Sequence, residues 1–328
     1  MVKKNRIKKA RKIGARRQKL MRFATYASVL VAFSLILAKV VAFVLTGSMA
    51  MLATVVDSCL DLLASLVNMF SVRQATLPAD RNHRFGHGKF EPLAGIGQST
   101  FVFGSGLFLM VASLGKLGKG YEVDHIEVGV GVMLFSIVMT GFLVFVQAYV
   151  VKKTKSVAIA ADKAHYTGDL MINFSVIVSL LVVKYFNFYY ADIAFAILIA
   201  VYLMHTALAI FKDSLMMLTD AEMPDEDRAK IVDVILKTKG VKGVHDVRTR
   251  SSGDKLFVQC HLEIDAQLPL AKAHQIGDNA EDAIMKLFPN AEVLVHHDPY
   301  GLKEEHPELW YDLGVELKEE NKAKAGKK

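Results

Sequence analysis

The chain is 328 residues long, 52% hydrophobic, with a formal charge of +7 and a mean hydropathy of +0.30. That balance is too apolar for a soluble protein of this size and directs the reading to a membrane protein with a soluble part. Two cysteines, Cys59 and Cys260, exclude a disulfide framework and a CxxC metal motif. The positive charge is local: the first 22 residues hold 11 Lys and Arg and no acid, leaving 29 basic against 33 acidic residues elsewhere.

The basic stretch runs from Lys3 to Arg22. Nucleic-acid binding is one reading of such a run. The reading taken is a segment held on the inner face by positive charge and anionic lipid, because an apolar span follows at once; no nucleic-acid partner is expected. That span is too long for a signal-peptide core, so no cleavage is expected. About 20 apolar residues cross a bilayer, and six stretches qualify: 23–46, 49–72, 92–114, 126–150, 156–186 and 191–211. Lys39, near the far end of the first, is expected to snorkel to the outer interface. The connections are a tight Gly47-Ser48 turn, a polar loop from Arg73 to Phe90, a glycine-rich charged turn from Gly115 to Asp124, and a turn marked by Lys152, Lys153 and Lys155. The third span is rich in small residues (Gly95, Gly97, Gly104, Ser105, Gly106), which permits close helix approach. The positive-inside rule places the basic tail, the 73–90 loop and the Lys152–Lys155 turn in the cytoplasm, so both termini are expected there, in a multi-pass inner-membrane protein.

Beyond Asp220 the composition becomes that of a soluble domain. Pro224-Asp-Glu-Asp opens a helix with acids in its first turn. Strands are expected at 244–250, 256–264 and 291–296, with a turn at Ser252-Gly253-Asp254 and an amphipathic helix at 271–287. Phe257, Gln259, His261 and Glu263 share one face of the second strand. The expected fold is an α-helical membrane protein of six transmembrane helices followed by a small cytoplasmic α+β domain, αββαβ and metallochaperone-like. Its parts are a basic tail (1–22), the six-helix domain (23–213), a linker (214–223), the metal-binding α+β domain (224–303) and a charged tail (304–328), whose end is expected to be disordered.

Two apolar spans carry charge at helical spacing. Asp57 and Asp61 in the second, and His165 and Asp169 in the fifth, are i,i+4 pairs, each on one helix face. Facing each other, they would offer three carboxylates and one imidazole to a divalent cation such as Zn²⁺. Ionisable groups within apolar spans cost about 2.5–3.5 kcal/mol each on insertion scales, so a bound cation or proton is the expected offset. Cys59 is about 200° round the helix from Asp57 and is expected to pack. Asp80, His83 and His87, closely spaced on a polar loop, form a second candidate metal site. His245, His261, His274, His296 and Asp298 form a third, assembled only when the soluble domain folds. No HExxH or nucleophile motif is present, so an enzyme is not expected; a membrane-anchored metal sensor is the alternative to transport.

These motifs resemble those of the cation diffusion facilitators, and most closely the bacterial zinc and ferrous-iron efflux members, over roughly residues 20–303. The resemblance rests on Asp57-x3-Asp61, His165-x3-Asp169, the loop Pro78-Ala-Asp80-Arg-Asn-His83-Arg-Phe-Gly-His87-Gly-Lys89, His245-Asp-Val-Arg-Thr-Arg250 and His296-His-Asp298-Pro. It implies a homodimer, held largely by the cytoplasmic domains, that exports Zn²⁺ (or Cd²⁺ or Fe²⁺) in exchange for protons through Asp57, Asp61, His165 and Asp169. It further implies two ions in the soluble domain bridged by Asp298, one held by His245 and His261, the other by His274 and His296. His297 stands where relatives often carry another polar residue, and both ligation and solvent exposure stay open for it. Lys89 and Asp220 are implied to form a charge interlock near the dimer axis.

Overall fold

The computed structural model describes residues 2–46, 49–115, 126–186 and 191–301. The expected Gly47-Ser48 turn, nearly all of the 115–124 connection and the charged tail from 304 onward lie outside the described residues.

Six long helices come first: α1 (Val2–Thr46), α2 (Met49–Ala75), α3 (Phe90–Gly115), α4 (Ile126–Thr154), α5 (Val157–Phe186) and α6 (Ala191–Leu218). α1 runs through the basic stretch and into the apolar span as one helix. Lys and Arg are good helix formers, and no Gly-Pro break divides the stretch from the apolar span. Among the described residues five helices are long and apolar enough to cross a membrane: 14–45, 54–75, 90–115, 131–154 and 193–218. The sixth expected span corresponds to α5, which at 30 residues is long enough. It is not among those five; its first half carries Asp162, Lys163, His165 and Asp169.

Small residues fix how these helices pack, as the third span was expected to show, but only some of them do so. A Cβ at Gly95 would overlap the Ser214 hydroxyl of α6, and one at Gly106 would lie 3.2 Å from the Ala200 carbonyl oxygen. Gly97 and Gly104 face open space. On α5, a Cβ at Gly168 would meet the Leu203 methyls at 2.9 and 3.0 Å. Gly95→Val and Gly168→Val are therefore expected to lower the melting temperature in detergent, each by the equivalent of about 1–3 kcal/mol of overpacking, whereas Gly97→Ala should melt like the parent.

One end of this bundle is tied by buried polar groups. The Arg17 guanidinium faces both Glu91 carboxylate oxygens at 3.3 Å and donates through Nε to the Thr154 carbonyl at 2.9 Å. Arg22 Nε donates to Thr76 Oγ1 at 2.8 Å. Two residues assigned to lipid contact on sequence therefore bind protein partners. Lys39 also departs from expectation: its ammonium donates to Ser58 Oγ and, at 3.4 Å, to the Thr54 carbonyl, so it turns onto α2 rather than outward.

The second compact unit contains α7 (Asp225–Leu236), β1 (Gly243–Ser252), β2 (Lys255–Ile264), α8 (Leu270–Leu287) and β3 (Ala291–Pro299). This is the expected αββαβ order. β2 is central, antiparallel to β1 and parallel to β3. β1 and β2 join through Gly253-Asp254, where Gly253 takes φ +61 as a type II′ hairpin turn requires. Val258, Cys260, Leu262 and Ile264 of β2 alternate into the core with Ile231, Ile235, Ala280 and Ile284 of the two helices. Burial pushes the Cys260 thiol up to about 12, so in the folded protein Cys260 is expected to resist maleimide at pH 8 and to label only after denaturation.

Candidate metal centres

Among the described residues, three clusters hold ligand-type atoms that all lie within 4.8 Å of one another: Asp61, His165 and Asp169; Asp80, His83 and His87; and His245, His261 and Asp298.

The first joins α2 to α5. His165 Nε2 lies 3.1 Å from Asp61 Oδ1 and 3.8 Å from Asp169 Oδ2. Helical spacing places His165 and Asp169 on one face of α5. Close packing of α5 on α6 at Gly168, beside Asp169, helps hold that face in place. Phe101 meets the His165 ring edge-on at 5.5 Å, giving the imidazole an apolar wall. Asp57, expected as the fourth ligand, is not brought into this cluster; it is exposed one turn away on α2. Next to the cluster is a polar centre that the sequence did not reveal. Asp162, fully buried, accepts from Ser28 Oγ at 2.6 Å and Gln147 Nε2 at 2.8 Å. Tyr166, also buried, shares a 2.7 Å hydrogen bond with Ser65. Helices α1, α2, α4 and α5 thus meet around the residues that flank His165. The available signal was the i,i+3 spacing of Asp162 and His165, which puts both on the bundle side of α5.

The second cluster lies on the loop between α2 and α3. Asp80 Oδ1 accepts from the backbone N–H groups of His83 at 2.7 Å and Asn82 at 2.9 Å. His87 Nε2 is 3.3 Å from Asp80 Oδ2, and its Nδ1 lies 3.2 Å from the Pro78 carbonyl. A carbonyl only accepts, so the Pro78 contact calls for a proton on Nδ1, and Nε2 is the nitrogen turned toward the cluster. The His83 backbone N–H, and after it that of Asn82, hold the Asp80 carboxyl below its ordinary value of 3.8. A carboxylate with a depressed folded value stabilises above its unfolded pKa, and that contribution is lost as pH falls through the folded value. Amide protection at Asn82 and His83 is therefore expected to persist at about pH 4 and to fade only below it, as hydrogen exchange across a pH series would show.

The third cluster follows from strand register. His245 pairs with His261 across β1–β2, and His261 with His296 across β2–β3, so three imidazoles form one row. Asp298, two residues beyond His296 on the same face, is buried beneath them: His261 Nδ1, His245 Nε2 and His296 Nε2 lie 2.8, 3.4 and 3.2 Å from its carboxylate. His274, expected on the second ion, is exposed on α8 and faces Asp278 at 3.9 Å, outside the cluster. His297 turns the other way: a Cβ on Gly277 of α8 would overlap its Nε2. Burial, and after it the neighbouring His274 and His296, hold the His297 imidazole below its ordinary value of 6.5. At the bundle end, Lys89 donates to the Met217 carbonyl and, at 3.2 Å, to that of Leu218, closing the C-terminus of α6. Asp220 accepts from Arg250 at 3.1 Å.

Apolar helices that carry carboxylate and imidazole groups, followed by a small α+β domain with its own histidine row, are the architecture of a multi-pass membrane protein with sites suited to cations. The cation efflux transmembrane domain family matches residues 25–219, and the cytoplasmic domain family of cation efflux proteins matches residues 223–300. The chain is 42% identical over 281 residues to the cation-efflux pump FieF of Serratia proteamaculans, covering 86% of this chain and 93% of that protein. It is 40% identical to FieF of Salmonella agona over the same coverage. Among solved structures it resembles the metal-bound C-terminal domain of the CzcD transporter from Thermotoga maritima, at 26% identity over 24% of this chain and 93% of that one, with a TM-score of 0.23. The chain belongs to the cation efflux family, the cation diffusion facilitators.

Proposed function

We propose that this transporter exports a divalent cation, Zn²⁺ in the first place, from the cytoplasm across the inner membrane in exchange for protons. The observation that carries the reading is the Asp61–His165–Asp169 cluster, with all three ligand groups held within apolar helices. One imidazole with carboxylates favours Zn²⁺ or Cd²⁺ over Mg²⁺ or Ca²⁺ and admits Fe²⁺. The same atoms bind protons, so metal and protons compete for one set of groups, the least that exchange requires. Asp57, one turn along α2, completes the four-ligand set when α2 shifts along α5, and the bundle alternates between forms exposing the set to one side or the other.

In this reading Asp80, His83 and His87 form a loop site on the cytoplasmic face, with His87 its buried member. His245, His261 and Asp298, joined by His296, hold zinc in the cytoplasmic domain: two imidazoles and a carboxylate with converging donor atoms fit that ion. His274 joins them if α8 shifts. The protein works as a homodimer with both termini in the cytoplasm, and Lys89 and Asp220 form a charge interlock near its axis. The test is flux in proteoliposomes with internal zinc and internal pH followed together, and Cd²⁺, Fe²⁺ and Mg²⁺ as competitors. Zinc entry coupled to proton exit supports the reading. Zinc entry without a pH change makes the protein a uniporter, and preferential inhibition by Mg²⁺ would overturn the ion assignment.

A further inference from the structure

The two histidines that face Asp298 from β1 and β2 share an arrangement that a metal site alone does not explain. His245 presents Nε2 to Asp298 at 3.4 Å and Nδ1 to Glu263 Oε1 at 3.3 Å. His261 presents Nδ1 to Asp298 at 2.8 Å and Nε2 to Asp246 Oδ2 at 3.6 Å. Each imidazole thus has one nitrogen aimed at the shared carboxylate and the other at a carboxylate of its own. The nitrogens are used in opposite senses, because the two rings approach from neighbouring strands.

Both outer carboxylates are positioned by the backbone. Glu263 lies two residues from His261 on β2, on the same face, and pairs with Asp298 in the β2–β3 register. Asp246 occupies the irregularity in β1 between His245 and Arg248, with φ +48. A left-handed backbone is costly for most residues and tolerated by Asp. Without that bulge the strand alternation would send the side chain next to His245 to the opposite face. The bulge instead brings Asp246 to the histidine face, where its side chain is 11% exposed and its Oδ1 accepts from Arg248 Nε at 2.9 Å. That contact leaves Oδ2 directed at His261.

We propose that Asp246 and Glu263 are the outer carboxylates of the cytoplasmic zinc site, accepting the N–H of His261 Nε2 and His245 Nδ1 so that His261 ligates through Nδ1 and His245 through Nε2. This rests on the reading of that cluster as a zinc site. A neutral imidazole carries one N–H, and the nitrogen that lacks it holds the metal. A carboxylate on the N–H side fixes the tautomer, orients the ring and raises the basicity of the ligating nitrogen. Both residues are positioning residues; neither touches the ion.

The test is a zinc titration against a fluorescent chelator, using the purified full chain with Asp61→Ala and Asp80→Ala to remove the other two clusters. Asp246→Gly and Glu263→Gln are each expected to weaken zinc binding about 10- to 100-fold. Asp246→Gly relieves the left-handed strain, so the metal-free melting temperature should not fall. Asp246→Asn keeps an acceptor and tolerates the same backbone, and should recover most of the affinity. A merely structural role would place glycine at or above aspartate in both measurements. Affinities for the Gly and Gln variants within about twofold of the parent, with His261→Ala abolishing binding, would overturn the proposal and leave the zinc site standing. A His261→Ala chain that binds like the parent would overturn both.

Discussion

Asp61→Ala protein is expected to move zinc at least about 100-fold more slowly than wild type in proteoliposomes, while still binding zinc through its cytoplasmic domain. Loss of a residue that only orients a ligand typically costs 10- to 100-fold in metal affinity, and Asp61 is closer to the chemistry than that, with its carboxylate 3.1 Å from His165 Nε2. Removing it leaves an imidazole and one carboxylate from a single helix, too few donors to replace the hydration shell of a divalent ion. Asp169→Ala should fail in the same way, since it too leaves only two of the three clustered donors. The informative control is Asp57→Ala: a smaller defect there would show that Asp57 enters coordination only in part of the cycle, as its place outside the cluster implies. Wild-type flux by Asp61→Ala protein would sink the intramembrane site.

Glu91→Ala is expected to be the most destabilising single change in the bundle that leaves the ligands untouched, by about 3–5 kcal/mol. Glu91 is 1% exposed and Arg17 13%, so removing the carboxylate leaves a guanidinium in a site nearly closed to water, with the Thr154 carbonyl accepting from its Nε. An apolar pair of similar volume avoids that penalty, since such replacements of buried ion pairs are often neutral or stabilising. Arg17→Met with Glu91→Leu should therefore recover most of the loss. Melting of the detergent-solubilised protein distinguishes these cases, and identical melting of single variant, double variant and wild type would refute a structural role for the pair.

The helices, the αββαβ order and the pairing of ligand types within one element were legible because each is written in local spacing. An i,i+4 interval puts His165 and Asp169 on one face whatever surrounds them, and alternation in β2 separates His261 and Glu263 from Val258 and Cys260. What stayed hidden depends on partners far apart in the chain. Nothing in the run of basic residues distinguishes Arg17, paired with Glu91, from its neighbours. Asp162 reads as one more polar residue in an overlong span until Ser28 and Gln147 are folded onto it. The place of Asp57 outside the cluster was hidden for a different reason: spacing gives the face of a helix but not how far the facing helix has slid along it. The bulge at Asp246 was equally unreadable, since a one-residue irregularity leaves no mark in a hydrophobic pattern.

The glycine contacts between α3 and α6 have a mechanical consequence. Gly95 and Gly106 are 11 residues apart, about 16 Å along a helix axis, and at both points α3 lies so close to α6 that an added methyl group would displace a neighbouring atom. Two helices seated at two well-separated points cannot swivel or slide past each other without lifting out of both seats. They behave as a single stiff strut, and thermal motion in this part of the bundle is carried by the helices around it. In the proposed transport cycle, opening a path to Asp61, His165 and Asp169 then falls to α2, which swings against the α3–α6 pair while that pair stays together.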